Sequence, residues 1–350
     1  ELFNWDFNSN LGNDINMLSD GSMLVCLKDN NASITYGGYG GIFRKINADQ
    51  SFEWEVSYSS SDYTAHHDVE YLSNGNIIFP AWGEISQTEA AEEGFGGSYN
   101  LNPESIIELN PLTQEIAWEW HAMDHIIQEL DETKANYGSI AENPNKIDVN
   151  YNYQTRNNGD IMHINGLTLD EKNNLLYLTV NNYSEIWVLD HSTSKAEAST
   201  NSGGNYGLGG DLVYRFGNPE TYDNIGKSTL NNVHYPNLLK SGNMLAYANS
   251  VYGNQSEVVE YELNPPYNLV AGQDNEPNVV WSFTDNDLYS SGLSSAVRMK
   301  NTLIAEGRDG TLWEVTDGGD TDWFYKTNYA TIWRAYVFYA DDPAITALGF

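Results

Sequence analysis

A short hairpin pattern recurs along the chain and constrains its fold more than any other feature. The pattern runs from His67 through a Ser-Asn-Gly turn into an apolar strand, and a second copy begins at His234. In both copies the histidine precedes the turn glycine by the same number of residues. A looser copy begins at His163, and a copy with asparagine instead of histidine begins at Asn13. Such repetition indicates equivalent positions in a repeating architecture.

Each repeat has an inner half of this kind and an outer half, which is a hairpin with an acidic turn that ends in aromatic residues. The 24 Tyr, 11 Phe and 10 Trp are typical of strands, and the 30 Gly provide for many turns. Four strands per repeat predict an all-β fold, a six-bladed β-propeller that takes residues 1–350 as one domain. The six inner halves are expected near 15–27, 67–82, 163–180, 234–249, 294–306 and 330–339.

Three further expectations concern the ends and the insertions of this propeller. Residues 2–7 are expected to form a strand that pairs with the last blade and closes the ring. The long polar insertions at 84–104, 121–160 and 192–210 are expected to form loops on one face. Apolar residues at helical spacing over 123–130 predict one helix.

The formal net charge of −33 excludes nucleic acid and anionic membranes as partners. No stretch approaches the ~20 apolar residues of a membrane-spanning helix. The expected partner is therefore a small molecule or a glycan, and the oligomeric state is left open. Cys26 is the only cysteine, in an apolar strand, and is expected to fill the core. Because Glu1 is not a methionine, we expect a secreted or periplasmic protein whose signal peptide has been removed.

Three histidines, His67, His163 and His234, occupy one register of the repeat, and Asn13 and Ser294 occupy it elsewhere. If the repeats close into a ring, these side chains meet near its axis. Three imidazoles with an open position suit zinc. They also suit proton transfer near neutral pH, or nucleophilic attack on sulfur or phosphorus. The residues alone do not choose between these chemistries.

Several segments, in their order along the chain, are similar to bacterial arylsulfate sulfotransferases, which do not use the nucleotide sulfate donor. The resemblance spans nearly the whole chain. The segments that carry it are His66-His67-Asp68-Val69, Trp118-Glu119-Trp120, Met162-His163-Ile164-Asn165, Ser184-Glu185-Ile186-Trp187, Gly210-Asp211-Leu212-Val213-Tyr214-Arg215-Phe216 and Ile332-Trp333-Arg334-Ala335.

This resemblance implies a six-bladed propeller and a ping-pong transfer of a sulfuryl group from an aryl sulfate to a phenol or another hydroxyl. By motif position, His234 resembles the family's nucleophile, and His67 and His163 resemble its supporting histidines. The sequence departs from the family at Asn181, where members carry an arginine. It departs again after His234, where Tyr-Pro follows.

Arg215, Arg298 and Arg334 are candidates to supply the positive charge that Asn181 lacks, with an ion pair or a strand-end contact as the alternative role of each. Asn165 shares a strand face with His163 and could donate to an anion, with a turn or strand-edge role as the alternative. No cofactor is expected, although a calcium or zinc ion in the pocket stays open. The acidic run at 317–322 is interpreted as a hairpin turn rather than a calcium loop.

Two other functions fit the same residues. One is a polysaccharide lyase or hydrolase in which histidine and tyrosine serve as base and acid. The other is a glycan-binding propeller without catalysis, which the substitution at Asn181 favours.

Overall fold

The computed structural model describes residues 4–251 and 253–350, which are built mainly of antiparallel β-strands. The chain divides into two compact units. The first comprises the described chain up to Glu84, with Ser105–Glu119 and Phe338–Phe350. The second comprises Ile85–Glu104 and Trp120–Val337, without residue 252.

Two sheets, blades 1 and 2, belong mainly to the first unit. Blade 1 contains β1 (Leu11–Met17), β2 (Met23–Lys28), β3 (Gly41–Ile46) and β4 (Phe52–Ser57), in that order. Blade 2 contains β5 (Tyr63–Ala65), β6 (Glu70–Tyr71), β7 (Ile77–Gly83), β8 (Glu104–Leu109) and β9 (Ile116–His121). Its order is β5-β7-β8-β9, and β6 pairs with β7 beside β5. An additional parallel pair in the second unit joins β10 (Ile126–Ile127) and β11 (Ile147–Asp148).

The second unit contains three four-stranded antiparallel sheets, each in simple sequence order. Blade 3 contains β12 (Ile164–Asp170), β13 (Leu175–Val180), β14 (Glu185–Asp190) and β15 (Tyr214–Phe216). Blade 4 contains β16 (His234–Leu238), β17 (Met244–Ala248), β18 (Glu257–Tyr261) and β19 (Val279–Phe283). Blade 5 contains β20 (Ser295–Arg298), β21 (Thr302–Glu306), β22 (Thr311–Val315) and β23 (Thr321–Lys326).

The α-helices of the described residues are short: two lie in loops within blades 2 and 3, and the third follows blade 5. They are α1 (Gln87–Glu92), α2 (Lys195–Ala198) and α3 (Pro343–Ala347). Ser86 and Ser194 cap the first two through capping boxes. Within residues 4–251 and 253–350, no helix has the length and apolar character needed to cross a membrane.

The predicted all-β propeller fold is confirmed, and four of the blades have the expected four strands, but the described residues form five blades rather than six. The prediction of a sixth inner half at 330–339 is wrong, because the structure has no strand there. The Ile332 N–H donates instead to the Gly307 carbonyl, and the Ala335 N–H donates to Ser295 Oγ. The segment thus bonds to single groups near β20 and β21 and forms no hairpin of its own.

The predicted closing strand at 2–7 is also wrong where it can be assessed. Residues 1–3 lie outside the described residues, and 4–7 form no strand. Trp5 and Phe7 pack on apolar residues of β2, and Arg44 donates to the Phe7 carbonyl. Hydrophobic burial against blade 1 therefore anchors this segment without a ladder of backbone hydrogen bonds.

The helix predicted over 123–130 is replaced by a 3-10 turn at Ala122–His125 followed by β10. Ile126 and Ile127 pair with β11. His125 is buried between the Asp211 carboxylate and the Ala198 carbonyl. Tertiary contacts thus override the helical spacing of the apolar residues.

The turn glycines of the repeat adopt the conformation that the pattern requires. Gly21, Gly75 and Gly242 have φ values of 79°, 86° and 92°. The turn at 72–76 is closed by two backbone hydrogen bonds between Leu72 and the Gly75–Asn76 segment. Glycine occupies this left-handed region without the cost that a Cβ imposes.

We expect Gly75→Ala to destabilise the protein by about 1 kcal/mol, because alanine pays roughly that amount for a left-handed backbone. Urea unfolding followed by tryptophan fluorescence measures the change. Gly37→Ala is the matched control, since Gly37 has no positive φ and open space around it. Equal stability of the Gly75→Ala variant and the wild type would contradict the assigned role of the turn.

Candidate active site

The repeated register position has an unusual backbone in four of the five blades. Asn13, His67, His163 and Ser294 have φ values of 122°, 56°, 58° and 91°. Left-handed φ values are uncommon for residues other than glycine, and they mark places where the strand bends. In blade 4 the left-handed residue is Tyr235, with φ 56°, so His234 lies one residue before it.

His67 belongs to the first unit and lies just after β5. Its N–H donates to the Gly38 carbonyl over 2.8 Å, and its Nδ1 lies 2.9 Å from Nδ1 of His66. His66 stacks on Trp82 at 3.6 Å. A Cβ on Gly38 would lie 2.1 Å from His67 Nε2, so glycine is required for the ring to approach the backbone there. The catalytic role assigned to His67 stays a prediction.

His163 belongs to the second unit, directly before β12, and forms an ion pair with Asp160. Its Nδ1 lies 2.5 Å from Asp160 Oδ2, and its side chain is 20% exposed whereas that of Asp160 is 5% exposed. Burial acts to lower the pKa of His163, but the Asp160 carboxylate outweighs it and raises that pKa above its ordinary value. The Asp160 carboxylate therefore favours the protonated form of His163 and partly balances its charge.

His234, the first residue of β16, is buried and makes hydrogen bonds through both ring nitrogens. Its Nδ1 lies 2.6 Å from Asn249 Oδ1 and 3.0 Å from the Asn232 carbonyl. Its Nε2 accepts the N–H of Leu293 over 3.0 Å. Burial lowers the pKa of His234 to about 3, and the positive charges of His163 and Arg334 act in the same direction.

These partners fix the tautomer of His234. Two oxygens face Nδ1, so that nitrogen carries the proton, while a backbone donor faces Nε2, so that nitrogen carries the lone pair. A neutral imidazole with an unprotonated Nε2 is a competent nucleophile. In this structure the Leu293 N–H donates a hydrogen bond to this lone pair.

Two asparagines connect the histidine segments of blades 3 and 4. Asn165 and Asn181 both donate to the carbonyl of Val233, over 2.9 and 3.3 Å, and Val233 directly precedes His234. The Asn181 N–H donates to the His163 carbonyl over 3.1 Å. The amide oxygen of Asn165 accepts the Thr179 hydroxyl over 2.7 Å. Both side chains thus position the histidine-bearing segments.

Of the three predicted arginines, Arg334 is the one that shares this region. Its guanidinium lies 4.3 Å from the centroid of the Tyr235 ring and 5.0 Å from that of Trp333. Its Nη2 donates to the Asn165 carbonyl over 3.4 Å. Aromatic faces hold a guanidinium in place without neutralising its charge. Arg334 therefore adds positive potential beside His234.

The other two arginines are engaged elsewhere. Arg215 is completely buried and makes a two-point ion pair with Glu185, with contacts of 2.9 and 2.5 Å. Arg298 pairs with Glu260 at 3.1 Å and lies 4.4 Å from the centroid of the Trp281 ring. Arg215 and Arg298 therefore both form ion pairs, the alternative to a role in binding the substrate.

No group of three or more His, Cys, Asp or Glu side chains within the described residues could hold a metal ion. The 317–322 run forms the β22–β23 turn, as expected, with Gly319 at φ 85°. A cavity of about 470 Å³ in the second unit contains none of the predicted site residues. It is lined by Asp285, Asp287, Glu306, Asp309, Thr311, Trp313, Thr321, Phe324 and Lys326. Four carboxylates against one lysine make it unsuitable for an anionic sulfate ester.

Sequence reasoning missed three contributors to this region. Asp160 had a detectable signal, because it stands three residues before His163. Asn249 follows the second strand of the His234 hairpin, where a polar residue after an apolar strand marks the strand end. The Leu293 N–H could not be found from the sequence, because every residue except proline carries a backbone N–H.

The fold and these side chains define a class: β-propeller proteins with a buried neutral imidazole held beside positive charge. The chain belongs to the arylsulfotransferase family, whose model, described as Arylsulfotransferase (ASST), matches residues 3–198. No curated protein matches the sequence. This match covers more than half of the chain and supports a sulfotransferase-type enzyme with a small-molecule substrate.

Solved structures resemble the chain at the level of fold. A protein of unknown function from Bacteroides caccae has 11% identity and a TM-score of 0.51, with coverage of 95% of this chain and 88% of that one. A functionally unknown protein from Desulfotomaculum acetoxidans has 10% identity, a TM-score of 0.45 and coverage of 91% and 86%. A catalytically inactive virginiamycin B lyase from Staphylococcus aureus, bound to quinupristin, has 11% identity and a TM-score of 0.42, with coverage of 93% of this chain and 73% of that one.

Proposed function

We propose that this protein transfers a sulfuryl group from an aryl sulfate ester to a phenolic or other hydroxyl acceptor, through a covalent intermediate on His234. The observation that carries the proposal is the state of that imidazole: neutral, with Nδ1–H held by Asn249 and the lone pair on Nε2. Family membership supports the same reaction class.

Two half-reactions follow. In the first, Nε2 forms a bond to sulfur as the bond between sulfur and the aryl oxygen breaks, and the aryl oxide leaves and becomes a phenol by gaining a proton. In the second, an acceptor hydroxyl loses its proton and attacks sulfur, which breaks the N–S bond and regenerates the imidazole. The Leu293 N–H must leave Nε2 before the first step.

Positive charge is needed because the sulfuryl oxygens are anionic throughout the transfer. Family members carry an arginine where this chain has Asn181, and the Asn181 amide donates to the Val233 carbonyl instead. We assign this role to Arg334, and His163, whose protonated form the Asp160 carboxylate favours, is the second cation. His67 keeps the supporting role that the family pattern assigns to it.

The test is turnover of a chromogenic aryl sulfate with and without a phenol acceptor, combined with intact-mass analysis of donor-loaded protein. Acceptor-dependent turnover and a sulfuryl adduct on His234 are expected. An active preparation that yields no adduct would overturn the covalent route. Rising absorbance from an unsaturated uronate would instead identify a lyase, and glycan affinity that is unchanged in His163→Ala and His234→Ala would identify a binding protein.

We expect Arg334→Gln to lower kcat/KM by on the order of 10²-fold, the typical effect of removing one preorganised charge-stabilising donor. Adding Asn181→Arg to the Arg334→Gln variant should recover part of this loss, because it restores a cation at the family position. Initial rates with an aryl sulfate measure both effects. Arg44→Gln is the control, since Arg44 pairs with Glu55 on the surface of the first unit. Unchanged kinetics in Arg334→Gln would exclude Arg334 from charge stabilisation.

A further inference from the structure

Asp160 makes a direct hydrogen bond with the imidazole of His163. The 2.5 Å distance between Asp160 Oδ2 and His163 Nδ1 is that of a charge-assisted hydrogen bond. The carboxylate side chain is 5% exposed, so water competes weakly for it. Nδ1 faces the carboxylate, and Nε2 is therefore the ring nitrogen through which His163 can exchange a proton with a substrate.

Backbone contacts fix both partners of this pair. The Asp160 carbonyl accepts the Asn182 side-chain amide over 2.8 Å. Asn152 donates to the carbonyls of Ile161 and Asn182, over 2.8 and 3.0 Å. His163 itself has a left-handed backbone with φ 58°. A strained residue persists when its surroundings determine its conformation, and such residues cluster at functional sites.

The charges around His163 favour its protonated form. Asp160 makes the direct contact, and Glu104, whose Oε1 accepts the adjacent Ile164 N–H over 2.7 Å, adds a second negative charge. Arg156 opposes them. His234 is neutral. Arg334, on the 330–339 segment, contributes positive charge to the same region. The direct carboxylate contact is the strongest of these attractions, so removing it should make His163 lose its proton more readily.

We propose that Asp160 is a positioning residue that holds His163 with a proton on Nε2, so that His163 gives this proton to the departing aryl oxygen. The inference rests on the proposed sulfuryl transfer. As His234 Nε2 bonds to sulfur and the S–O bond breaks, the electron pair stays on the aryl oxygen, which takes the Nε2 proton of His163 and leaves as a neutral phenol. Neutral His163 then accepts the acceptor's hydroxyl proton as the acceptor oxygen attacks sulfur, and both histidines return to their starting states.

The first measurement compares Asp160→Asn with wild type on aryl sulfates whose phenols differ in acidity. A nitrophenol leaves readily as an anion, whereas phenol needs a proton. The variant should therefore lose little in kcat/KM for nitrophenyl sulfate but on the order of 10²-fold in kcat/KM for phenyl sulfate, the usual contribution of general acid catalysis. In a two-step transfer, kcat/KM for the donor reports the first half-reaction alone. A purely structural defect would lower both rates by the same factor. Equal losses overturn the proposal.

The second measurement does not depend on activity. NMR titration of isotopically labelled histidine follows His163, assigned by comparison with His163→Gln. In wild type His163 should stay protonated to higher pH than an ordinary histidine, and in Asp160→Asn its midpoint should fall by about one pH unit or more. A wild-type midpoint at or below the ordinary value overturns the proposal even if Asp160→Asn does not fold.

Asp211→Asn is the matched control, because Asp211 pairs with the buried His125 over 2.7 Å and also with Lys146. It removes the same kind of contact, and should affect stability without changing the dependence on the leaving group. The outcomes separate the two proposals. No turnover of any aryl sulfate counts against sulfuryl transfer, whereas turnover with an unmoved His163 titration counts against Asp160 alone.

Discussion

Replacing His234 by alanine is expected to lower kcat/KM for an aryl sulfate by at least about 10⁴-fold, because the variant lacks the atom that bonds to sulfur. The pKa of His234 is lowered to about 3 by burial. The wild-type nucleophile is then neutral down to roughly pH 5, so the loss should be the same across neutral and mildly acidic pH. Initial rates over this pH range, with circular dichroism to check folding, measure the effect.

Chemical rescue separates loss of the nucleophile from damage to the fold. In the His234→Ala variant, Asn249 Oδ1 and the Leu293 N–H both face the space that the imidazole occupied. Added imidazole can fill this space in the same tautomer and restore part of the turnover, with sulfuryl-imidazole as a detectable intermediate. His191→Gln is the control, since His191 follows β14 in a turn. A His234→Ala protein that is folded and fully active would remove His234 from the mechanism.

The propeller was predictable because its signals are local. Alternating apolar residues and a turn glycine define each inner hairpin, and Gly21, Gly75 and Gly242 have the expected left-handed φ. Four-stranded repetition then follows from burial of one hairpin on the next. These preferences are set by residues close in sequence, so they hold without knowledge of the rest of the fold.

The number of blades was not predictable in the same way. The 330–339 segment is rich in β-branched and aromatic residues, as strands are. A strand also needs a partner, however, and N–H groups of this segment bond instead to the Gly307 carbonyl and Ser295 Oγ. The same limit applies to charged side chains. Arg215 and Arg334 look alike in sequence, yet one lies in a closed ion pair and the other beside aromatic rings near His234. Long-range contacts decide which arginine lies beside His234.

Arg215 and Glu185 provide the largest expected effect on stability. Both side chains are completely buried, and the guanidinium also donates to the Lys146 carbonyl and the Thr221 hydroxyl. The Trp187 indole N–H donates to the same carboxylate over 2.8 Å. With every oxygen and most N–H groups engaged, the pair is held in a geometry that offsets the cost of removing two charges from water.

Glu185→Gln is expected to lower the free energy of unfolding by about 3–5 kcal/mol, because it leaves the Arg215 guanidinium buried without a counter-charge. Urea unfolding followed by tryptophan fluorescence measures the loss. The double variant Glu185→Leu, Arg215→Met should recover much of it, since an apolar pair of similar volume removes both charges together. Glu55→Gln is the control: the Arg44–Glu55 pair is nearly as short, at 2.6 Å, but its side chains are 24% and 37% exposed, and its loss should cost under about 1 kcal/mol. Equal costs for Glu185→Gln and Glu55→Gln would show that burial does not amplify this interaction.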